Sequence, residues 1–246
     1  MTHELPHHTV VSDGRSPDIP LVTFLVPVFN EKRTLAAVLE ALAHFPESRE
    51  IIVIDDGSTD GTRDFLVKSP APNQVVIFHE KNAGKGAAIR TALPHARGLY
   101  VAVQDADLEY DPKQYVEMLK IARTTRRAAV FGSRFLRTNP TAHWRFLWGN
   151  KFITTWINFL CKTRLTDAYT CYKLIERSAL SALGLASAGF EIEAEICVRL
   201  ARKDIPVLEN PIAYRPRSVK EGKKIKLKDA LRGAWTALRL RLSRDL

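Results

Sequence analysis

Three carboxylates lie close together in residues 101–109, which read Val-Ala-Val-Gln-Asp-Ala-Asp-Leu-Glu. The alternating valines are typical of a half-buried strand, and Asp105, Asp107 and Glu109 follow them. If the extended spacing continues, these three side chains point to the same side and repel one another. A hard divalent cation relieves such repulsion, and Mg²⁺ or Mn²⁺ keeps coordination positions free for phosphate oxygens. We therefore predict a metal site here, with a loop of solvated acids as the alternative.

The first half of the chain must supply the elements that position these acids. Short apolar runs predict strands at residues 21–29, 50–54, 74–78, 99–103 and 128–131. Helical patterns separate the runs, for example after Asn30-Glu31 and from Pro112 onward. This alternation predicts an α/β fold with a doubly wound, mainly parallel sheet and right-handed crossovers.

Polar motifs follow four of the predicted strands. Ligands of doubly wound sheets bind beyond the carboxyl ends of the strands, so these motifs are expected to meet at one edge. They are Asn30-Glu31, Asp55-Asp56, residues 105–109 and Ser133-Arg134.

The second half has a different character. Residues 143–161 form an aromatic-rich predicted helix with apolar side chains nearly all round, which indicates either burial or a side that meets lipid. A second helix is predicted at residues 190–202 and an edge strand, broken by two prolines, at residues 205–214. Residues 227–242 read as an amphipathic basic helix.

Length and composition indicate one domain. The 246 residues suit a single α/β domain at 20–246, whose first half (20–135) alternates strands and helices and whose second half (136–246) does not. Residues 1–19 are rich in His, Pro, Ser and Asp and are predicted to be a disordered tail. No apolar run is long enough for a membrane span, and no secretion signal is evident. Three widely spaced cysteines indicate reduced thiols in a cytoplasmic protein.

The positive charge is concentrated at one end. The formal net charge is +10, and from Arg215 onward eleven Lys or Arg residues face three acids. Such a segment suits a nucleic acid, an anionic membrane surface or a phosphate-bearing substrate. A solvated surface helix is the competing interpretation.

Together these motifs resemble family 2 glycosyltransferases of the GT-A fold, and within them the dolichol-phosphate mannose or glucose synthases and their bacterial polyprenyl-phosphate counterparts. The resemblance covers about residues 22–228. It rests on Val-Pro-Val-Phe-Asn-Glu at 26–31, Asp-Asp-Gly-Ser-Thr-Asp at 55–60, Asn-Ala-Gly-Lys-Gly at 82–86, Asp-Ala-Asp-Leu-Glu at 105–109, Gly-Ser-Arg at 132–134, and Arg217 with Lys223. Two residues depart from the family pattern: Phe29 replaces the usual Tyr, and Glu109 stands where the mannose synthases often have Gln.

The resemblance implies a nucleotide-sugar-binding half at 20–135, an acceptor- and membrane-facing half at 136–246, and a role for each motif. The metal would be Mg²⁺ or Mn²⁺, surrounded by Asp105, Asp107 and Glu109, and it would bridge the diphosphate of a nucleotide-sugar donor. The implied catalytic residues are Asp107, Arg134, Arg217 and Lys223. The implied nucleotide-binding residues are Pro27, Phe29 and Glu31 around the base and ribose, Asp55 or Asp56 as hydrogen-bond acceptors, Lys85 on phosphate oxygens, and Asp105 with Ala106.

These roles predict an inverting transfer of a hexose, from GDP-mannose or UDP-glucose, to a polyprenyl phosphate. A phosphate monoester is largely dianionic at neutral pH and needs no general base. This fits the lack of an obvious second acid pair, since Glu191, Glu193 and Glu195 are expected to be structural. The enzyme would attach peripherally to the cytoplasmic face of an anionic membrane, with a membrane protein partner possible. Alternatives are transfer to a saccharide or lipid hydroxyl, a nucleic-acid-binding module, and a silent subunit of a membrane protein; the intact acidic motif disfavours the last two.

Overall fold

The protein is described here by a computed structural model that covers residues 8–10, 18–68, 74–140, 144–217 and 227–243. Eight strands form one sheet in the order β1-β4-β3-β2-β5-β7-β6-β8. The strands are β1 His8–Val10, β2 Val22–Val28, β3 Arg49–Asp55, β4 Gln74–His79, β5 Tyr100–Val103, β6 Ala129–Ser133, β7 Lys173–Glu176 and β8 Val207–Pro211. The helices are α1 Leu35–Ala43, α2 Thr62–Lys68, α3 Lys85–Ala92, α4 Tyr115–Thr125, α5 Trp144–Cys161, α6 Arg177–Ala182, α7 Ile192–Arg202 and α8 Leu227–Leu242.

The neighbouring strands β4, β3, β2 and β5 are all parallel, which confirms the predicted doubly wound sheet. Their side chains alternate between two apolar cores. On β2, Leu25 packs into the core that includes residues of α3 and α7, whereas Phe24 and Val26 pack into the core that includes residues of α1 and α4. Burial on both faces explains why these strands read as continuous apolar runs.

Two strands and one helix were not predicted. β7 and α6 follow one another, and β7 lies antiparallel between β5 and β6. β1 pairs antiparallel with β4, so the prediction of a disordered tail is wrong for His8–Val10. The other tail residues before 18 lie outside the described part of the chain. The predicted edge strand is confirmed as β8, which runs parallel to β6.

Helices α5 and α8 pack against each other and leave an apolar outer surface. The Trp156 indole donates to the Ala234 carbonyl oxygen at 3.1 Å, which joins the two helices. On the inner side of α5, Ile153 and Ile157 are buried in the core. The outer side chains are exposed, with Trp148 at 69%, Phe159 at 74% and Trp235 at 66%. We call this surface the aromatic face; it comprises Trp148, Phe152, Phe159, Leu231, Trp235 and Leu242.

The α5 prediction left burial and lipid contact open, and the helix has both a buried side and an exposed apolar side. In the part of the chain that the structure describes, every helix is too short or too polar to cross a membrane.

Candidate active site

Arg217 joins the two halves of the chain at the carboxyl edge of the sheet. Its guanidinium donates to the Glu31 carboxylate at 3.0 Å, although 186 residues separate the two. Its Nε donates to the Asp107 carbonyl oxygen at 2.7 Å, and its backbone N–H donates to Glu109 Oε1 at 2.7 Å. Because β8 runs parallel to β6, the chain that leaves β8 arrives at the edge where β2 and β5 also end. Glu31 and residues 105–109 were predicted to lie at the same edge of the sheet, and Arg217 contacts both there.

The three acids of residues 105–109 do not converge on one position where they could hold a metal ion. Asp105 Oδ1 accepts from Lys85 Nζ at 2.7 Å, and Glu109 Oε2 accepts from the Tyr214 hydroxyl at 2.9 Å. Asp107 Oδ1 accepts the backbone N–H of Glu109 at 3.1 Å. Among the described residues, no three His, Cys, Asp or Glu side chains are arranged to hold a metal ion. The expected three-carboxylate site is not assembled, because Glu109 is bonded to the segment that carries Arg217.

The pair Asp105 and Asp107 nevertheless suits a divalent cation. Burial, together with the nearby carboxylates of Asp105 and Glu109, raises the pKa of Asp107 to about 7. A cation would relieve this excess of negative charge. Mg²⁺ commonly uses one or two carboxylates and completes its shell with water and substrate phosphates, so the pair is chemically sufficient. Metal binding by these residues stays a prediction.

The Lys85 side chain is buried within the site and pairs with Asp105. Lys85 begins α3, and its buried ammonium lies 2.7 Å from Asp105 Oδ1 and 3.3 Å from Glu193 Oε1. Burial alone would lower the pKa of Lys85, but the carboxylates of Asp105 and Glu193 outweigh it and raise the pKa well above its usual value. Lys85 is therefore a cation that neutralises the acid predicted to bind metal.

Asp55 and Asp56 are buried, and their carboxylates accept hydrogen bonds from other groups of the protein. Asp55 accepts from Arg63 Nε at 2.7 Å. Asp56 accepts from His79 Nδ1 at 2.7 Å and from the backbone N–H groups of Ala83 and Gly84, each at 2.8 Å. Asp56 thus shapes the turn that leads into α3. Nucleotide contacts by these two carboxylates stay a prediction.

Arg134 is fixed by a residue that the sequence did not single out. Its Nε and Nη2 donate to the two carboxylate oxygens of Asp167 at 2.7 and 2.8 Å, and its guanidinium lies over the Tyr214 ring at 5.3 Å. Asp167 is fully buried, and Arg134 lowers its pKa despite the opposing effect of burial. A fork–fork pair of this kind holds the guanidinium in one orientation.

The other predicted site residues are spread around this centre. Pro27 and Phe29 are partly exposed near the end of β2, and Ala106 is buried between the two aspartates. Lys223 lies outside the described residues.

Sequence reasoning missed Asp167, Lys173 and Tyr214 and gave Glu193 only a general structural role. Lys173 and Glu193 are both charged; Lys173 stands out in the apolar run at 171–175, whereas Glu193 is one of three alternating acids at 191–195. Such residues are seldom fully buried unless they are paired. Their partners lie in distant segments, so the pairing was not visible.

Comparisons with known proteins identify the family. Residues 23–184 match the family model described as glycosyl transferase family 2. The chain is 32% identical to the glycosyltransferase AglJ of Haloferax volcanii over 82% of this chain and 65% of that protein. It is 27% identical to a dolichyl-phosphate beta-glucosyltransferase of Trichomonas vaginalis over 89% of this chain and 72% of that protein.

A solved structure confirms the expected GT-A fold. Glucosyl-3-phosphoglycerate synthase from Mycobacterium tuberculosis, in complex with Mn²⁺, UDP and phosphoglyceric acid, superposes with a TM-score of 0.71. The match covers 92% of this chain and 80% of that chain at 18% sequence identity, which shows the fold alone. The chain spans about half to two thirds of the length of several curated relatives.

Replacing Asp107 by Asn should stabilise the metal-free protein. A carboxyl group whose folded-state pKa is raised to about 7 loses stability as pH rises from about 4 to 7, and the penalty is complete above that range. Asp107→Asn should therefore raise the melting temperature in chelator at pH 8, by about 2–4 °C for each kcal/mol recovered. At pH 4 the two proteins should melt alike.

The control is Asp204→Asn, which removes an exposed carboxylate at a positive φ that Asn also adopts. It should leave the melting temperature unchanged at both pH values. A less stable Asp107→Asn protein at pH 8 would contradict the crowding of acids described here.

Proposed function

We propose a specific reaction for this chain, which belongs to glycosyl transferase family 2: the metal-dependent, inverting transfer of a hexose from a nucleotide-sugar to a polyprenyl phosphate. The observation that carries the proposal is the contact of Arg217 with Glu31 and with residues 107 and 109. It brings a cation from the acceptor half to the edge where the donor diphosphate would lie. The dolichyl-phosphate beta-glucosyltransferase among the relatives supports the acceptor class.

The donor would lie along the ends of β2 and β5. Pro27 and Phe29 offer partly exposed apolar surface to the base, and Glu31 offers a carboxylate to ribose hydroxyls once Arg217 moves. Asp105 and Asp107 would hold a divalent cation, which acts as a Lewis acid on the leaving diphosphate.

The acceptor would approach from the second half. Arg134 is already oriented by Asp167 and would attract the acceptor phosphate. The nearby acids are poor candidates for a general base, because Glu193 pairs with Lys173, and Glu195 pairs with Arg199 at 2.7 Å. A phosphate dianion needs no such base, so it can attack the anomeric carbon directly and invert its configuration.

The reaction can be tested with the purified chain. We expect product only when a nucleotide-sugar, a polyprenyl phosphate and Mg²⁺ or Mn²⁺ are all present, and none in chelator. GDP-mannose and UDP-glucose would be compared as donors. Two competing acceptors would be offered: phosphoglyceric acid, and a polyprenol that carries no phosphate. Preference for either of these over the polyprenyl phosphate would overturn the acceptor class.

Arg217→Ala should slow turnover by roughly tenfold to a thousandfold, the range observed for losing one electrostatic stabiliser. The guanidinium would leave Glu31 for the phosphates, where charge builds as the diphosphate departs. The matched control is Arg215→Ala, which removes an exposed guanidinium two residues away on the same segment. Lys223→Ala is expected to act like Arg217→Ala.

A moving segment should also respond to the donor. Donor and metal should protect the chain from trypsin cleavage after Arg217, since a closed segment is a poor protease substrate. Normal turnover in Arg217→Ala and in Lys223→Ala, or cleavage indifferent to donor, would show that the segment is only a connector.

We further propose that the aromatic face rests on an anionic membrane at the cytoplasmic side. Isolated apolar side chains are normal on protein surfaces, but two tryptophans and two phenylalanines on two packed helices are an extended apolar surface. Helix α8, which contributes Trp235 to the aromatic face, also carries the exposed residues Arg232 and Arg239. Each basic residue near an anionic surface contributes about 1 kcal/mol to binding.

Binding to vesicles of anionic lipid should be strong at low salt and weaken at high salt. The double variant Trp148→Ser with Trp235→Ser should bind about tenfold more weakly or worse, because burying one such side chain contributes roughly 1.5–3 kcal/mol. Val67→Ser is the control, since Val67 is 55% exposed on α2, which packs on the opposite face of the sheet. A wild-type chain that does not bind these vesicles at low salt would overturn attachment through the aromatic face, so that the chain would attach through a membrane protein partner or not at all.

A further inference from the structure

Four buried charges of alternating sign form a row that ends at Asp105. Lys173 Nζ contacts Glu193 Oε2, Lys85 Nζ lies 3.3 Å from Glu193 Oε1, and Lys85 Nζ lies 2.7 Å from Asp105 Oδ1. All four side chains are at most 19% exposed. Two ammonium groups and two carboxylates neutralise one another, so the row is balanced without any bound ion.

Lys173 is fixed in this row. Its ammonium also donates to the backbone carbonyl oxygens of Ala168 and Thr170, so its three N–H groups all have acceptors. It also lies 4.8 Å from the centre of the Phe131 ring. Glu193 is therefore held from one side by a cation that has no reason to move.

Lys85 is placed differently, because two carboxylates compete for it. It pairs closely with Asp105 and more loosely with Glu193. Its backbone is locked: a Cβ on Gly84 or Gly86 would lie 2.5 Å from the carbonyl oxygen of Ala188 or Ser187. Ala87 also donates its N–H to Ala188 at 2.9 Å. Any adjustment at Lys85 must therefore come from its flexible four-carbon side chain.

We propose that Lys85 is an exchangeable counter-ion: it occupies Asp105 while no metal is bound, and Glu193 receives its ammonium when a divalent cation takes Asp105. This inference rests on the proposed metal-dependent function. Glu193 is then a positioning residue, which acts on the metal site only through Lys85. The separation between the two carboxylates requires only a small movement of the ammonium, and Lys85 stays paired throughout.

An exchange of this kind has a measurable consequence for metal affinity. Without nucleotide, the metal must displace Lys85 from Asp105, so the chain should bind metal weakly on its own. Adding the donor supplies phosphate oxygens as further ligands, which favours the metal over the ammonium. Metal and nucleotide binding would thus be coupled, and the acids would not stay permanently loaded.

The test measures Mn²⁺ binding to the full chain without nucleotide, from the electron paramagnetic resonance signal of free Mn²⁺. Lys85→Met, which keeps the length of the side chain but removes its charge, should bind Mn²⁺ about tenfold more tightly or better, the scale on which one adjacent charge changes the proton affinity of a carboxylate. Lys85→Gln provides a second uncharged variant if Lys85→Met does not fold.

Glu193→Gln should weaken Mn²⁺ binding, because Lys85 then has only Asp105 as a charged partner. The effect should disappear when Glu193→Gln is combined with Lys85→Met, since the ion that Glu193 receives is absent. Glu191→Gln is the matched control: it removes a carboxylate two residues away, whose contact is the Gly189 backbone N–H at 3.0 Å. It should leave Mn²⁺ affinity close to that of the wild type.

The outcomes separate this inference from the proposed function. Unchanged or weaker Mn²⁺ binding in a folded Lys85→Met or Lys85→Gln protein would overturn the exchange while leaving a metal-dependent transferase intact. An effect of Glu193→Gln that persists without Lys85 would show that Glu193 acts by charge alone. If neither the wild type nor the Lys85 variants bind Mn²⁺ and the reaction proceeds in chelator, the metal-dependent function and the exchange both fail.

Discussion

Crowding of negative charge at the carboxyl end of β5 is the constraint on which the site depends. Asp105, Asp107 and Glu109 follow one short strand, and the sheet holds that strand in place between β2 and β7. Buried acids so close together cannot all stay ionised without cations or donors. In this chain Lys85 forms an ion pair with Asp105, and Glu109 accepts hydrogen bonds from the Tyr214 hydroxyl and the Arg217 backbone N–H.

These neutralising groups come from different parts of the chain, and this is how the two halves become one site. Lys85 belongs to the first half of the chain, but the second carboxylate that it contacts, Glu193, belongs to α7 in the other half. Arg217 belongs to the second half of the chain and pairs with Glu31 of the first half. Each half therefore supplies a charged side chain that pairs with one from the other half. A substrate that brings phosphate groups to this edge of the sheet would change contacts in both halves.

The elements that the sequence predicted correctly are those whose apolar pattern lies within the element itself. The parallel strands β2 to β5 carry continuous apolar runs and the helix α8 carries a clear apolar periodicity, so they and the edge strand β8 were found near their observed bounds. β7 was missed because four residues with a charge at each end carry little periodic signal, and its pairing with β5 and β6 is non-local. The arrangement of the acids was wrong for a related reason. The spacing of Asp105 and Glu109 indicates a shared side, but Tyr214 and Arg217, more than a hundred residues away, decide where Glu109 points.

The position of β7 has a consequence for how the chain acquires its structure. β5 and β6 are consecutive strands, yet they are not neighbours; β7, about forty residues after β6, lies between them. Until β7 is added, β5 presents an unpaired edge, and open edges of this kind invite pairing with other chains. Non-local pairing of this sort is slow to form because loop closure precedes the gain in contacts. The strand that ends in the acidic motif is thus among the last to be enclosed, and the nascent chain is most prone to aggregation between synthesis of β5 and docking of β7.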